Sequence, residues 1–344
     1  MTEIEYLQLY NSLVKEETYH IEFSKSFLDE MIERLKYSSK SGKSSVSYCT
    51  QQFKYKRILN VPINRDIFDS VEISSRIGKN CHFVYDKVWD KINLNTIRKF
   101  NYYEDISKYF YKKCISFIPL NEIAIPIYKY LLKQYSDYES FRIMEILNEI
   151  GNTTTANKYI EPVYRELALF NEDSNNKGII DVILRLINDE ITITDYKTGK
   201  PKYYFPYEEN EEIIEPTEWD KKDIAYEISE YFDLLNGKVY RFLDKDNYKL
   251  FDPPLVNYGR VLYLRDWIRT YNFLEINEEI MDVSKEIERK YINIINSGKF
   301  YRRISTNCPV YCKFYPICKT ALQWKTKHRF LEPIFKESFK YFAR

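Results

Sequence analysis

The stretches of sequence that decide the fold are Ile179-Ile-Asp-Val-Ile-Leu-Arg-Leu-Ile187 and Ile191-Thr-Ile-Thr-Asp-Tyr-Lys197. The first is rich in β-branched residues, and the second alternates between apolar and polar side chains, as strands do. Asn188-Asp-Glu190 lies between them and suits a short hairpin connection. We therefore predict an antiparallel hairpin at the centre of a sheet.

The hairpin carries charged residues that are suited to phosphodiester chemistry. Residues two apart in a strand point to the same face, so Asp195 and Lys197 should project together. Asp181 on the preceding strand should reach the same site, and Glu166 adds a carboxylate from an earlier strand. Carboxylates suit Mg²⁺ or Mn²⁺, and a neighbouring lysine positions water or offsets phosphate charge. A surface ion pair explains Asp-x-Lys alone, but buried charges in a β-rich setting favour a metal site.

The remaining sequence reads as helices with a few further strands. Strand character begins near Glu161 and returns over Gly259–Trp267. Apolar residues recur at helical spacing elsewhere. The predicted helices cover residues 2–38, 46–56, 78–150, 222–235 and 276–297.

Composition restricts the classes of function only weakly. The formal net charge is +1, which by itself gives no case for a nucleic-acid partner. The 33 tyrosines fit an AT-rich genome, although exposed ones can also stack on bases. No signal peptide and no run of 18 apolar residues is visible, so we expect a soluble, intracellular protein without a membrane partner. In that compartment the six cysteines should be free or metal-bound rather than in disulfides.

Three cysteines lie close together near the end of the chain, at Cys308, Cys312 and Cys318. Three thiolates need a fourth ligand to hold zinc or an iron–sulfur cluster. The residues themselves leave three candidates for that ligand, which are Cys49, Cys81 and Cys114.

The order of the motifs resembles the RecB-like branch of the PD-(D/E)xK nucleases. The matching segments are Gly78-Lys-Asn-Cys-His82, Glu166, Gly178-Ile-Ile-Asp181 and Asp195-Tyr-Lys-Thr-Gly199. The resemblance implies that the metal ligands are His82, Asp181, Asp195 and the backbone carbonyl of Tyr196. It also implies that Lys197 is the catalytic lysine and Glu166 an active-site carboxylate.

The chain departs from that family at one motif, a Gln-x-x-x-Tyr on the helix after the lysine. Glu227-Ile-Ser-Glu-Tyr231 has the same spacing with glutamate in place of glutamine. Positions four apart share a helix face, so Tyr231 is expected to belong to the catalytic site. Two interpretations of Glu227 stay open: it replaces the family's glutamine, or it is an ordinary exposed charge on the helix.

The cysteines also fit the iron–sulfur members of the family. The segment Cys49-Thr-Gln-Gln-Phe-Lys-Tyr-Lys-Arg57 resembles their N-terminal motif, with threonine where proline is usual. By that resemblance Cys49, Cys308, Cys312 and Cys318 would hold a 4Fe–4S cluster that staples the two ends. Zinc or free thiols remain alternatives, and Cys81 and Cys114 would be small buried hydrophobes. Phe53, Lys54, Tyr55 and Arg57 would either guide a DNA strand or pack around the cluster.

The fold class expected from the resemblance is α/β, with a restriction-endonuclease-like central mixed β-sheet flanked by helices. The predicted organisation comprises N-terminal helices at 1–45, a nuclease domain at 46–320 and a basic aromatic tail at 321–344. The nuclease domain would contain a helical insertion at 86–155 and an iron–sulfur clamp formed by 46–57 and 305–320.

The expected function is that of a Mg²⁺- or Mn²⁺-dependent deoxyribonuclease that processes single-stranded DNA from a free end. A non-catalytic nuclease-fold subunit of a DNA-processing complex is the alternative, and a zinc-stapled structural protein is the third hypothesis. No Walker motif is present, so a helicase would be a separate partner. Polarity, the choice between DNA and RNA, exo- or endonuclease action, pathway, oligomeric state and a viral origin stay open.

Overall fold

A computed structural model of the chain describes residues 38–39, 49–55, 69–119, 126–199, 218–243, 247–270, 273–297, 312 and 314. The chain divides into two compact units. One comprises Met1–Glu72 with Glu286–Arg344, and the other comprises Ile73–Lys285. Of the helix predicted over 2–38, only Ser38 is described, and it begins strand β1 rather than continuing a helix. The tail predicted over 321–344 lies outside the described residues.

The elements follow one another with helices first, then strands, then helices again. The α-helices are α1 Thr50–Phe53, α2 Asp69–Lys87, α3 Leu94–Ile97, α4 Tyr103–Ile115, α5 Pro126–Ile150, α6 Asn157–Ile160, α7 Glu218–Leu235 and α8 Glu278–Ser297. The strands are β1 Ser38–Ser39, β2 Tyr164–Asn171, β3 Asn176–Arg185, β4 Ile191–Lys197, β5 Val239–Phe242, β6 Tyr248–Phe251, β7 Tyr258–Tyr263 and β8 Leu274–Glu275.

Local sequence explains where several helices begin and end. The side chain of Asn93 caps α3 by accepting a hydrogen bond from the backbone N–H of Thr96. Helix α5 begins at Pro126, whose fixed φ and missing N–H suit the first helical position. Helix α4 has acidic residues in its first turn and lysines in its last, which complement the helix dipole.

Seven strands of the second unit form one mixed sheet in the order β6-β5-β2-β3-β4-β7-β8. Neighbouring strands are antiparallel, except that β4 and β7 run parallel. The predicted hairpin is confirmed, since β3 pairs antiparallel with β4 and Arg185 lies opposite Ile191. The predicted strand over Gly259–Trp267 is confirmed as β7, although 3-10 turns replace its second half. The α/β class with a mixed sheet flanked by helices is therefore confirmed.

Two hydrophobic clusters cover the two faces of the sheet. On one face, helices α2, α4 and α5 pack with the strand residues Val182, Leu184 and Leu262. On the other face, α7 packs with residues such as Ile193 and Val261. The segment 86–155, predicted as an insertion, shares its core with the sheet and supports the strands that carry the charged residues.

The hairpin of β5 and β6 was not foreseen from the sequence. Tyr240 lies opposite Leu250, and Phe242 lies opposite Tyr248, at the edge of the sheet. These strands are four residues each, too short for a strong alternation signal.

Among the described residues, no helix combines the length and apolar character needed to cross a membrane.

Candidate metal centre

Three side chains from three different elements converge beside the sheet. His82 lies on α2, Glu166 on β2 and Asp181 on β3. The His82 Nδ1 atom is 3.4 Å from Asp181 Oδ2 and 3.6 Å from Glu166 Oε1. One ligand atom from each residue lies within 4.8 Å of the others. An imidazole and two carboxylates thus surround a space suited to a cation.

A distortion of strand β2 presents Glu166 to this space. Glu166 has φ +42°, in the left-handed region that is unfavourable for a residue with a Cβ. The antiparallel ladder between β2 and β3 leaves out the pair formed by Glu166 and Asp181. The alternation of β3 also changes here, because Ile180 packs in one core cluster and Val182 in the other. Backbone strain is thus concentrated at the convergence point, as it often is at functional sites.

Asp181 also fixes the adjacent strand. The ladder between β3 and β4 ends with the pair Val182 and Thr194. Beyond it, Asp181 Oδ2 accepts a hydrogen bond from the backbone N–H of Tyr196 at 2.7 Å. This carboxylate therefore satisfies a strand N–H while its side chain faces the histidine. Tyr196 itself pairs with Leu262 in the parallel ladder between β4 and β7, and metal binding by its carbonyl stays a prediction.

Strand β4 contributes a second charged group. Lys197 Nζ lies 2.6 Å from Asp195 Oδ2 and 3.6 Å from Glu227 Oε2. Tyr231 donates a hydrogen bond from its hydroxyl to Asp195 Oδ1 at 2.5 Å. Helix α7 therefore brings Glu227 and Tyr231 to the strand, as their spacing of four residues requires. The expectation that Asp195 and Lys197 project together is confirmed.

The two groups adjoin one another through Asp181. Burial alone lowers the pKa of Lys197, but the charges of Asp195, Glu227 and, more weakly, Asp181 raise it above its usual value. Burial raises the pKa of Tyr231 well above normal, and Asp195 and Asp181 raise it further. Lys197 thus remains charged at neutral pH within an acidic setting.

His82 responds to the same carboxylates. Burial alone lowers its pKa, but hydrogen bonds and charge from Asp181 and Glu166 raise the pKa of His82 to about 10. The imidazolium therefore supplies the positive charge that the two carboxylates require. A divalent cation at this place would compete with that proton, because histidine binds metals in its neutral form.

The predicted ligand set and the observed convergence overlap in part. His82 and Asp181 meet as the sequence indicated, and the third member of the group in contact is Glu166. Asp195, also predicted as a ligand, contacts Lys197 and Tyr231, and its binding of a metal stays a prediction. Glu227, which the sequence left open, lies near Lys197.

Sequence reasoning did not find the buried network behind the site. Tyr196 points away from Asp195 and donates its hydroxyl to Glu139 Oε1 at 3.2 Å. Arg142 forms an ion pair with Glu139 at 2.8 Å, and both side chains are buried. The ring of Tyr196 packs edge-on against Tyr85, which lies on the helix that carries His82, and against Tyr135. No local motif marks these residues, and the abundance of tyrosine was the only available signal.

The predicted cluster residues are only partly within the described chain. Cys49 is the N-cap of α1 and lies in the same compact unit as Cys312, whereas Cys308 and Cys318 lie outside the described residues. The ring of Tyr55 lies 5.6 Å from that of Phe314, so the segments holding these two cysteines meet.

The aromatic residues after Cys49 are buried rather than available to DNA. Phe53 packs edge-on against Tyr291, and both Phe53 and Tyr55 are fully buried. Lys54 is buried as well. Of the two alternatives for this segment, packing is the one that fits the burial of these three residues, and Arg57 lies outside the described residues.

Cys81 and Cys114 are buried in the core of the second unit. Burial raises the pKa of the Cys81 thiol to about 12 and that of Cys114 well above its usual value. They therefore behave as small hydrophobes, as predicted from the sequence.

The fold and the site together define an α/β protein with an acidic candidate cation centre and an adjoining lysine. Comparison with models of known protein families finds no match, and comparison with curated proteins finds none.

Proposed function

We propose that this chain is a metal-dependent nuclease of the RecB-like PD-(D/E)xK class that hydrolyses DNA phosphodiesters. The observation that carries the proposal is the meeting of His82, Glu166 and Asp181 next to the pair Asp195 and Lys197. These residues come from separate parts of the sequence, so a chance surface ion pair does not account for their convergence. A restriction-endonuclease-like arrangement of the confirmed mixed sheet belongs to the same proposal.

The residues present fit a divalent cation. Two carboxylates and an imidazole lie within reach of one point, and oxygen ligands with one histidine suit Mn²⁺ or Mg²⁺. His82 and Glu166 are about one-third exposed or less, so the centre is open to solvent and substrate. When bound, the metal would polarise the phosphodiester and lower the pKa of an attacking water.

The chain's own residues would hold the substrate charge. Lys197 is positively charged and its side chain is about one-third exposed, so its ammonium group can approach a phosphate oxygen. Asp195 and Glu227 restrict the direction of that ammonium group, while Tyr231 fixes Asp195. Such preorganised charge stabilises a transition state because no reorganisation is needed during the reaction.

The cluster belongs to the same proposal. Cys49, Cys308, Cys312 and Cys318 would ligate a 4Fe–4S cluster that joins the ends of the first unit. The contact between Tyr55 and Phe314 supports it, since it brings the segments of Cys49 and Cys312 together. The substrate would be single-stranded DNA with a free end, and a separate helicase would be a compatible partner.

The decisive experiment measures Mn²⁺-dependent cleavage of end-labelled single-stranded DNA by the purified full chain. Asp181→Asn keeps an acceptor for the Tyr196 N–H but removes a charge, and Lys197→Ala removes the ammonium group. We expect each variant to lose activity by about a hundredfold or more. Lys108→Ala, an exposed lysine on α4, is the matched control and should cut like the wild type.

Undiminished cutting by both site variants would refute the assignment of the site. DNA binding without cutting by the wild type would favour the non-catalytic subunit instead.

A further inference from the structure

One face of the sheet edge carries a row of four aromatic side chains and one leucine, here called the aromatic strip. Its members are Phe170 on β2, Tyr240 and Phe242 on β5, and Tyr248 and Leu250 on β6. Phe170 lies opposite Tyr240, and Phe242 lies opposite Tyr248, so these side chains share one face. Val239, one position along β5, packs in the core cluster beneath α7. The strip therefore lies on the face of the sheet opposite α7.

The outer strand of the strip is exposed although its side chains are largely apolar. Tyr248 is 59% exposed and Leu250 is 63% exposed, whereas Phe170, Tyr240 and Phe242 are half-buried. The rings of Phe170 and Tyr240 are stacked with centroids 6.3 Å apart, and Tyr248 lies edge-on to Tyr240 at 5.6 Å. A preformed, ordered aromatic surface of this kind loses little conformational entropy when it binds a flat ligand.

We propose that the aromatic strip binds single-stranded DNA by stacking on its bases. Aromatic rings on an exposed sheet face are a common platform for single strands, because every base has a π-face. Cations lie beside the rings, as a phosphate backbone requires. Lys177 is exposed and lies opposite Phe170. The ammonium group of Lys238 lies 5.6 Å from the centre of the Tyr240 ring, where it pairs with Glu172 at 2.6 Å.

The strip also continues toward the candidate metal centre. Phe170 and Glu166 are on the same strand, four residues apart, which corresponds to about 13 Å. A strand of DNA stacked on Phe170 and Tyr240 and following β2 would therefore reach Glu166 after about 13 Å. This inference rests on the proposed function, for which it supplies the surface that guides the substrate.

Two other roles for the strip make different predictions. Cross-strand aromatic pairs stabilise a sheet edge, in which case substitutions would lower the thermal stability alone. Exposed apolar residues at a sheet edge can also join two copies of a chain, in which case substitutions would change the oligomeric state.

The test is binding of a fluorescently labelled oligothymidylate to the full chain in EDTA, measured by anisotropy so that cleavage cannot occur. Tyr248→Ala is the test variant, and Tyr248→Phe keeps the ring. Tyr102→Ala on the helical side is the control, since Tyr102 is 68% exposed. We expect Tyr248→Ala to weaken binding about fivefold or more, with Tyr248→Phe and Tyr102→Ala near the wild type.

Salt dependence separates stacking from charge. Tyr248→Ala should leave the slope of log K against log salt unchanged, whereas Lys177→Ala should reduce it by about 0.7 if it contacts one phosphate. Wild-type affinity in Tyr248→Ala, with only a lower melting temperature or an altered oligomeric state, would overturn the proposal. The proposal would also be overturned if Tyr248→Ala weakened the binding of single-stranded RNA but not that of single-stranded DNA.

The outcome also distinguishes this inference from the proposed function. Tyr248-dependent binding by a chain that never cuts DNA would support the strip and refute the nuclease. The opposite result would be cleavage that is lost in Lys197→Ala, together with wild-type DNA binding and cleavage rate in Tyr248→Ala. That result would support the nuclease and refute the role of the strip.

Discussion

At the scale of single residues, Glu166 combines an unfavourable backbone conformation with a place in the candidate metal centre. Its φ of +42° is one that a short polar residue such as asparagine tolerates better than a long side chain does. His82 and Asp181 surround the carboxylate, so its charge rather than its backbone fit accounts for its presence here.

This strain gives a prediction for two neutral replacements. Glu166→Asn and Glu166→Gln both remove the charge, but asparagine adopts the left-handed conformation more readily. We expect the asparagine variant to be more stable than the glutamine variant by about 1 kcal/mol, measured by urea unfolding in EDTA.

Glu286 on the exposed side of α8 serves as the control position for that comparison. In a regular helix glutamine is favoured over asparagine, so the order of stability should reverse there. Equal stability of the two Glu166 variants would mean that this backbone conformation is not strained.

Tyr196 links the candidate site to the buried charges behind it. Tyr196→Phe removes the hydroxyl that donates to Glu139, which leaves a buried carboxylate with one donor fewer. We expect a loss of about 1–3 kcal/mol in the free energy of unfolding, measured by calorimetry or denaturant titration. Tyr102→Phe, at an exposed tyrosine, should have no effect, and an equal loss there would contradict this role for the network.

At the scale of elements, helix α7 must approach the sheet closely to bring Glu227 and Tyr231 to Lys197. Gly259 on β7 allows that approach, because an added Cβ would lie 2.8 Å from Ile228 Cδ1 and 3.4 Å from Phe232 Cζ. Both contacts belong to α7. The absence of a side chain at this position therefore helps to set the distance between helix and strand.

Gly259→Ala should consequently destabilise the protein by about 1–3 kcal/mol through overpacking. Ile228→Val removes the Cδ1 atom that the new methyl group would meet, so the double variant should recover part of that loss. Chemical unfolding of the two single variants and the double variant measures the coupling. Strict additivity of the two losses would show that this contact does not restrain α7.

At the scale of the whole molecule, the candidate metal centre and the two described cysteines of the predicted cluster belong to different compact units. The carboxylates, His82 and Lys197 all belong to the unit Ile73–Lys285, whereas Cys49 and Cys312 belong to the other. A cluster in the first unit would join segments that are about 260 residues apart in sequence, where ligation contributes to folding.

Anaerobic purification of the full chain should therefore yield a brown protein with about four iron atoms per chain. Cys312→Ser should lose iron and the broad visible absorbance, and should unfold at a lower temperature. Cys114→Ala, in the core of the second unit, is the control that should keep its iron. A colourless protein with about one zinc per chain would point to the zinc alternative.

The sequence by itself determined the central hairpin, because strand alternation and a short turn are local properties. It also placed Asp195 and Lys197 on one face and joined Tyr231 to Glu227 by helical spacing. These features depend on residues that are close together in the chain, so periodicity alone indicates them.

Only the tertiary structure decided which carboxylate meets His82 and what lies behind Tyr196. Glu166 reaches the histidine through a distorted strand, and Glu139 reaches Tyr196 from a helix 57 residues away in sequence. The aromatic strip likewise required the register between β2, β5 and β6. Long-range packing and pairing fix these contacts, and no local pattern in the sequence specifies them.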